Sequence, residues 1–174
     1  AMITDHFLVT DRVAVITGDS RMSIPVMWAS ADRTTWEAVP LPVAADMSVR
    51  IEGVVATPTG LLLALSRDQR STTFWSSTDG VAWTQVSELT DAGVEALGVF
   101  PTDAMGAGGG LIAAARDRVL TSADGVTWTD TAVPELAGDN VVAVTGTADG
   151  RIAIVSYVPN EYDSSVTVGT PVVG

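Results

Sequence analysis

At 174 residues the chain can bury a substantial core and is most simply one domain, 1–174. It has no cysteine, which excludes disulfides, thiol catalysis and cysteine-based zinc sites. Its formal net charge of −12, with no block of basic residues anywhere, argues against nucleic acid or an anionic membrane surface as partner.

Although 47% of the residues are hydrophobic, no run approaches the roughly 18–20 apolar residues that cross a bilayer, so no transmembrane segment is expected. The opening residues AMITDHFLVT lack the basic start and apolar stretch of a signal peptide. Ala1 ahead of Met2 reads as a cloning remnant, so that absence carries little weight on location.

Three related phrases recur along the chain. DRVAVITGD (11–19) reads as a strand and is followed by WASADRTTWE (28–37). IEGVVATP (51–58) and GLLLALSRD (60–68) read as two more strands, closed by WSSTDGVAWT (75–84). LTDAGVEAL (89–97) has some helical character, but VEALGVFP (94–101) aligns with IEGVVATP, and strand is the better reading. GGLIAAARD (109–117) and LTSADGVTWT (120–129) repeat the pattern. NVVAVTGT (140–147) and GRIAIVSYV (150–158) open a fourth copy, which ends in SSVTVGTPVVG (164–174) without Asp-Gly or Trp.

Asp32, Asp79 and Asp124 stand 47 and 45 residues apart, and Trp36, Trp83 and Trp128 keep the same intervals. Approximate units are therefore 3–44, 45–91, 92–136 and 137–174. A period in the forties with three or four short β segments per unit is the signature of β-propeller blades. The expected fold is all-β: about four blades of three to four antiparallel strands, as a small closed ring or part of a larger one. A blade cannot cover its own apolar faces, and repetition supplies the cover.

Asp-Gly between strands is a strong hairpin signal, because Gly takes positive φ and the Asp side chain bonds nearby backbone amides. Ser30, Ser77 and Ser122, two residues ahead, can share that bonding. Trp36, Trp83 and Trp128 are expected at equivalent, largely buried positions between adjacent blades. Arg33 stands where the later copies have Gly80 and Gly125, so the first turn is expected to be distorted.

Ser30-Ala-Asp32, Ser77-Thr-Asp79-Gly80 and Ser122-Ala-Asp124-Gly125, each with its Trp, resemble the Asp-box (bacterial neuraminidase) repeat of sialidase-like propellers. This is a shortened form, with one residue fewer between Asp and Gly than the usual pattern. The resemblance implies that these residues are structural, tying the hairpin between a blade's third and fourth strands away from the ligand face. It also implies export to the extracellular space or cell envelope.

Several motifs have plainer readings. Gly18-Asp19-Ser20 looks like an esterase nucleophile block, but the only histidine is His6, upstream. GAGGG (106–110) lacks the helix a phosphate-cradling loop needs and reads as a hairpin loop. TADGR (147–151) lacks the spaced acids of a calcium loop and reads as a turn. No metal or cofactor is expected. A sialidase-like hydrolase would need an arginine cluster and a Tyr–Glu pair with an Asp acid. Arg21, Arg67, Arg70, Glu161, Tyr162 and Asp163 supply the residue types, but NEYD is one contiguous loop whose side chains diverge.

The leading functional reading is a non-enzymatic binding or interaction module, for a glycan or a protein. The alternatives are a fragment or divergent member of a sialidase-like glycoside hydrolase, and an assembly or stability factor. The loops joining the second and third strands of a unit are the expected recognition surface. Arg21, Arg70, Glu161, Tyr162 and Asp163 are its candidate ligand-binding residues. Self-association as a homo-oligomer is also expected, because an unclosed stack leaves apolar blade faces open.

Overall fold

In the computed structural model, which describes residues 7–17, 20–30, 34–43, 49–67, 70–101, 110–159 and 164–169 (7–17, 20–26 and 164 as backbone alone), each sequence unit becomes one antiparallel sheet. Sheet 1 holds β1 (Phe7–Thr17), β2 (Ser20–Ala29) and β3 (Glu37–Val39). Sheet 2 holds β4 (Arg50–Thr57), β5 (Gly60–Arg67), β6 (Ser71–Ser77) and β7 (Thr84–Thr90). Sheet 3 holds β8 (Val94–Phe100), β9 (Gly110–Ala115), β10 (Arg118–Ser122) and β11 (Thr129–Ala132). Sheet 4 holds β12 (Asn140–Gly146), β13 (Ile152–Tyr157) and β14 (Ser164–Gly169). Every sheet is a meander in which sequence neighbours pair. The described residues contain no α-helix and no closed ring of sheets.

The residues explain which strand sits where. The middle strands β5 (GLLLALSR) and β9 (GLIAAA) are apolar on both faces and almost wholly buried, and sheet 3, which holds β9, is covered on both sides. The last strands β7 (TQVSELT) and β11 (TDTA) are polar and largely exposed. LTDAGVEAL is not helical: β7 ends at Thr90, Asp91 turns the chain with φ of 59°, and β8 begins at Val94. In the first unit the β1–β2 hairpin has strands of 11 and 10 residues against 8 and 7 in β5–β6, so β1 begins ahead of the repeated phrase at Asp11.

Sheets 2, 3 and 4 stack in order. Leu62, Ala64 and Phe74 of sheet 2 pack against Leu111, Ala113 and Leu120 of sheet 3. The opposite side of sheet 3, through Ala96, Ile112, Ala114 and Val119, packs against Val141, Val144, Ile152 and Ile154 of sheet 4. Leu136, in the short 3-10 turn Pro134–Leu136, is fully buried in that second cluster. The first strands of these sheets run side by side, β4 next to β8 and β8 next to β12. The approach is so close that a Cβ on Gly98 would lie 2.1 Å from the Val144 carbonyl oxygen.

Each of these first strands carries a bulge at the same place. Pairing with the second strand skips one residue between Ile51 and Gly53, between Val94 and Ala96, and between Val141 and Ala143. The extra residues are Glu52, Glu95 and Val142. A bulge bends and twists its strand, so its recurrence gives the three first strands a common shape.

Candidate functional site

The Ser-x-Asp-Gly segments form one hairpin, built twice. Between β6 and β7, the Ser77 hydroxyl oxygen accepts the Gly80 N–H at 2.8 Å and the Asp79 N–H at 3.3 Å, and donates to Asp79 Oδ1 at 3.0 Å. Asp79 Oδ1 also accepts the N–H groups of Val81 and Ala82, both at 2.9 Å. Between β10 and β11, Ser122 accepts from Gly125 at 2.8 Å and Asp124 at 3.2 Å and donates to Asp124 Oδ1 at 3.1 Å. Asp124 Oδ1 takes the N–H groups of Val126 at 2.8 Å and Thr127 at 2.9 Å. Gly80 and Gly125 have φ of 76° and 75°, a conformation that a side chain would strain.

These bonds hold both carboxylates below the usual aspartate range. For Asp79 the chief cause is the Ala82 N–H, then those of Val81 and the Ser77 hydroxyl. For Asp124 it is the Thr127 N–H and then that of Val126. A carboxylate already occupied by backbone donors is a structural group.

The second of these hairpins also reaches the preceding sheet. The Gly125 carbonyl accepts the Trp128 indole N–H at 3.2 Å and the hydroxyl of Ser87, on β7 of sheet 2, at 2.8 Å. The Trp128 ring stacks on Phe74 of sheet 2, centroids 4.5 Å apart. Trp83 is partly buried, and its indole N–H is buried without a hydrogen-bond partner among the described residues. Trp36 departs from the expectation of equivalent burial and is exposed. The physical reason lies in the direction of the contact seen at Trp128, which packs on the sheet before its own, whereas the first sheet has none before it among the described residues. Ser30 is buried, whereas Asp32 and Arg33, with the turn expected to be distorted, lie outside the described residues. TADGR forms the β12–β13 turn, with Thr147 and Arg151 both bonded to Asp149, whose pKa falls to about 2 chiefly through Arg151.

The opposite end of the sheets carries the loops between second and third strands and the connections between sheets. Thr72, at the start of β6, donates to the Ala92 carbonyl at 3.1 Å and accepts the Val94 N–H at 3.0 Å, so both kinds of connection meet there. Arg70 is exposed in the β5–β6 loop. Arg21 lies at the start of β2 with its side chain outside the described residues, as are Glu161, Tyr162 and Asp163 altogether.

Two carboxylates at this end escaped the sequence reading. Glu52 is buried on its bulge, accepts the Ser66 hydroxyl and lies 3.7 Å from Arg50. Burial pushes its pKa up, against the pull of Ser66 and Arg50. Glu95 accepts Arg116 Nε at 3.0 Å and the Val141 N–H at 2.7 Å, binding the start of β12 to sheet 3. An acid at the same point of two apolar phrases, IEG and VEA, was the available signal.

A cleft of about 690 Å³ opens between sheets 2 and 3 on the hairpin side. Leu61, Leu62, Phe100 and Leu111 are among its apolar lining, with Thr57, Thr59, Ser76 and Asp124 supplying polar groups. Pro58 and Pro101, which follow equivalent strands, also line it. Among the described residues, Asp124 is the one candidate site residue from the sequence that lines this cleft, beside Gly110 of the GAGGG run. No helix among the described residues is long and apolar enough to cross a membrane. No protein-family model matches the chain, and no curated protein matches it.

Proposed function

We propose that the chain is a non-catalytic interaction module built of Asp-box propeller-type blades, and that its partner is a protein. The observation that carries this reading is the cleft between sheets 2 and 3, an apolar lining with a few polar groups, which is the usual make-up of a recognition site. Such a lining suits an apolar side chain of a protein partner better than a sugar, which needs many polar contacts. The Asp-box assignment rests on the same five hydrogen bonds recurring in two successive hairpins. By the same resemblance the protein is read as exported.

The test is a binding screen against displayed peptides and a glycan array, repeated with two variants. Thr59→Trp narrows the cleft, and Arg70→Ala removes a cation from the loop end. Peptide binding lost in Thr59→Trp and kept in Arg70→Ala supports the cleft. Loss in Arg70→Ala alone moves recognition to the loops between second and third strands. Turnover of a fluorogenic sialoside overturns the non-catalytic reading in favour of the hydrolase.

A further inference from the structure

The repeat shows why the cleft opens at one junction and not at the next. Thr57 and Phe100 hold equivalent places, each pairing with the glycine that starts the second strand and each followed by a proline. Val99 and Gly146 are likewise equivalent, pairing with Leu111 and Ile152, which in turn pair with Ser122 and Gly169 on the third strand. Between sheets 3 and 4, Phe100 is buried in the shared cluster. It lies so close on Gly146 that a Cβ there would come 2.2 Å from its ring. Between sheets 2 and 3 the same two places hold Thr57 and Val99, and both line the cleft instead of closing it.

Charge is unevenly placed along these sheets. Arg50, Arg67, Arg70, Arg116 and Arg118 stand at strand ends on the side of the loops between second and third strands. At the hairpin end the one arginine among the described residues is Arg151, which pairs with Asp149 at 2.6 Å. Asp124 is the sole charged residue in the lining of the cleft, and it is exposed. Its Oδ1 is held by Ser122, Val126 and Thr127, whereas its Oδ2 makes no bond among the described residues. The backbone donors keep this carboxylate ionised at neutral pH.

We infer, building on the reading of the cleft as a protein-recognition site, that the partner is a basic peptide segment. An apolar side chain of the segment enters between sheets 2 and 3, and an adjoining Arg or Lys pairs with Asp124 Oδ2. A volume of about 690 Å³ takes an apolar side chain together with its neighbours. The net charge of −12 draws a cationic segment toward the chain and turns an acidic one away. The contact at Asp124 then fixes which residue of the segment reaches the apolar lining.

Panning a displayed library of random short peptides against the chain and against Thr59→Trp tests the inference. The expected result is enrichment, on the parent only, of sequences in which Leu, Ile or Phe adjoins Arg or Lys. The most enriched peptide, and its counterpart with Gln for the basic residue, are then titrated against Asp124→Asn and Asp79→Asn. Asp124→Asn weakens the basic peptide about three- to fivefold at low salt and leaves the Gln peptide unchanged. Asp79→Asn removes the same charge from the equivalent hairpin, away from the cleft, and changes neither. No enrichment, or the same peptides on Thr59→Trp, overturns the cleft reading and this inference with it. Three outcomes overturn the inference alone and leave the cleft as the recognition site. These are cleft-dependent peptides without a basic residue, an Asp124→Asn protein that holds the basic peptide as tightly as the parent or loses both peptides equally, and an Asp79→Asn protein that matches Asp124→Asn.

Discussion

The Trp128 indole lies stacked on the Phe74 ring, with centroids 4.5 Å and planes 28° apart, and so joins the hairpin of sheet 3 to the middle of sheet 2. Phe74 is fully buried, so Phe74→Ala is expected to lower stability by about 3–5 kcal/mol in denaturant titration. A double-mutant cycle with Trp128→Ala should return a coupling of about 0.5–1.5 kcal/mol. Trp36→Ala, at an exposed ring, should change stability by less than about 1 kcal/mol. Equal losses at Trp36 and Trp128 would contradict the directional packing.

Gly98 is a second point where the stack admits no extra atom. A methyl group there meets the Val144 carbonyl oxygen, and a backbone atom in a paired strand cannot swing aside. Gly98→Ala should therefore destabilise by about 3 kcal/mol or more, read from chemical denaturation. A melting temperature within a degree or two of the parent's would show that β8 and β12 are further apart.

The hairpin aspartates predict an acid limb of stability. Their pKa values are lower folded than unfolded. Each contribution is therefore fully present above the unfolded value, about 3.9, and is lost as pH falls through the lower folded value. Asp124→Asn keeps an acceptor oxygen for the two N–H groups but removes the titration. The expected outcome is a flatter stability profile below about pH 4, followed by thermal melting; an unchanged profile would mean that the carboxylate's charge contributes nothing.

Glu52 carries the opposite sign. Burial raises its folded pKa above the usual 4.5. The folded state thus holds the proton more tightly, and stability falls as pH rises from the unfolded value through the folded one. Glu52→Gln retains an acceptor for Ser66 and should be more stable than the parent at neutral pH, with the difference vanishing near pH 3. The weak attraction to exposed Arg50 is too screened to reverse this. A Gln variant less stable at pH 7 than at pH 3, relative to the parent, would overturn the assignment.

Much of the architecture was legible because its determinants are local. GLLLALSRD and GGLIAAARD read as buried strands from their unbroken apolar runs, and became β5 and β9. The Ser, Asp and Gly of the hairpins bond within four or five residues, so the turn is written where it forms. The candidate site was less legible. The cleft is lined from two sheets and needs Leu61 and Leu111 brought together, a juxtaposition that no spacing along the chain announces.

By itself the sequence determined the strands, their grouping into four units and the hairpins, since each depends on contacts between near neighbours. Only the tertiary structure decided that Trp128 is covered while Trp36 is bare. It likewise decided that Glu52 is buried on a bulge, and that Val166 is exposed whereas Phe74 is sealed. The repeat writes nearly the same side chains into every unit. Whether an apolar face is core or surface depends on whether another sheet lies against it, and that is a property of the stack.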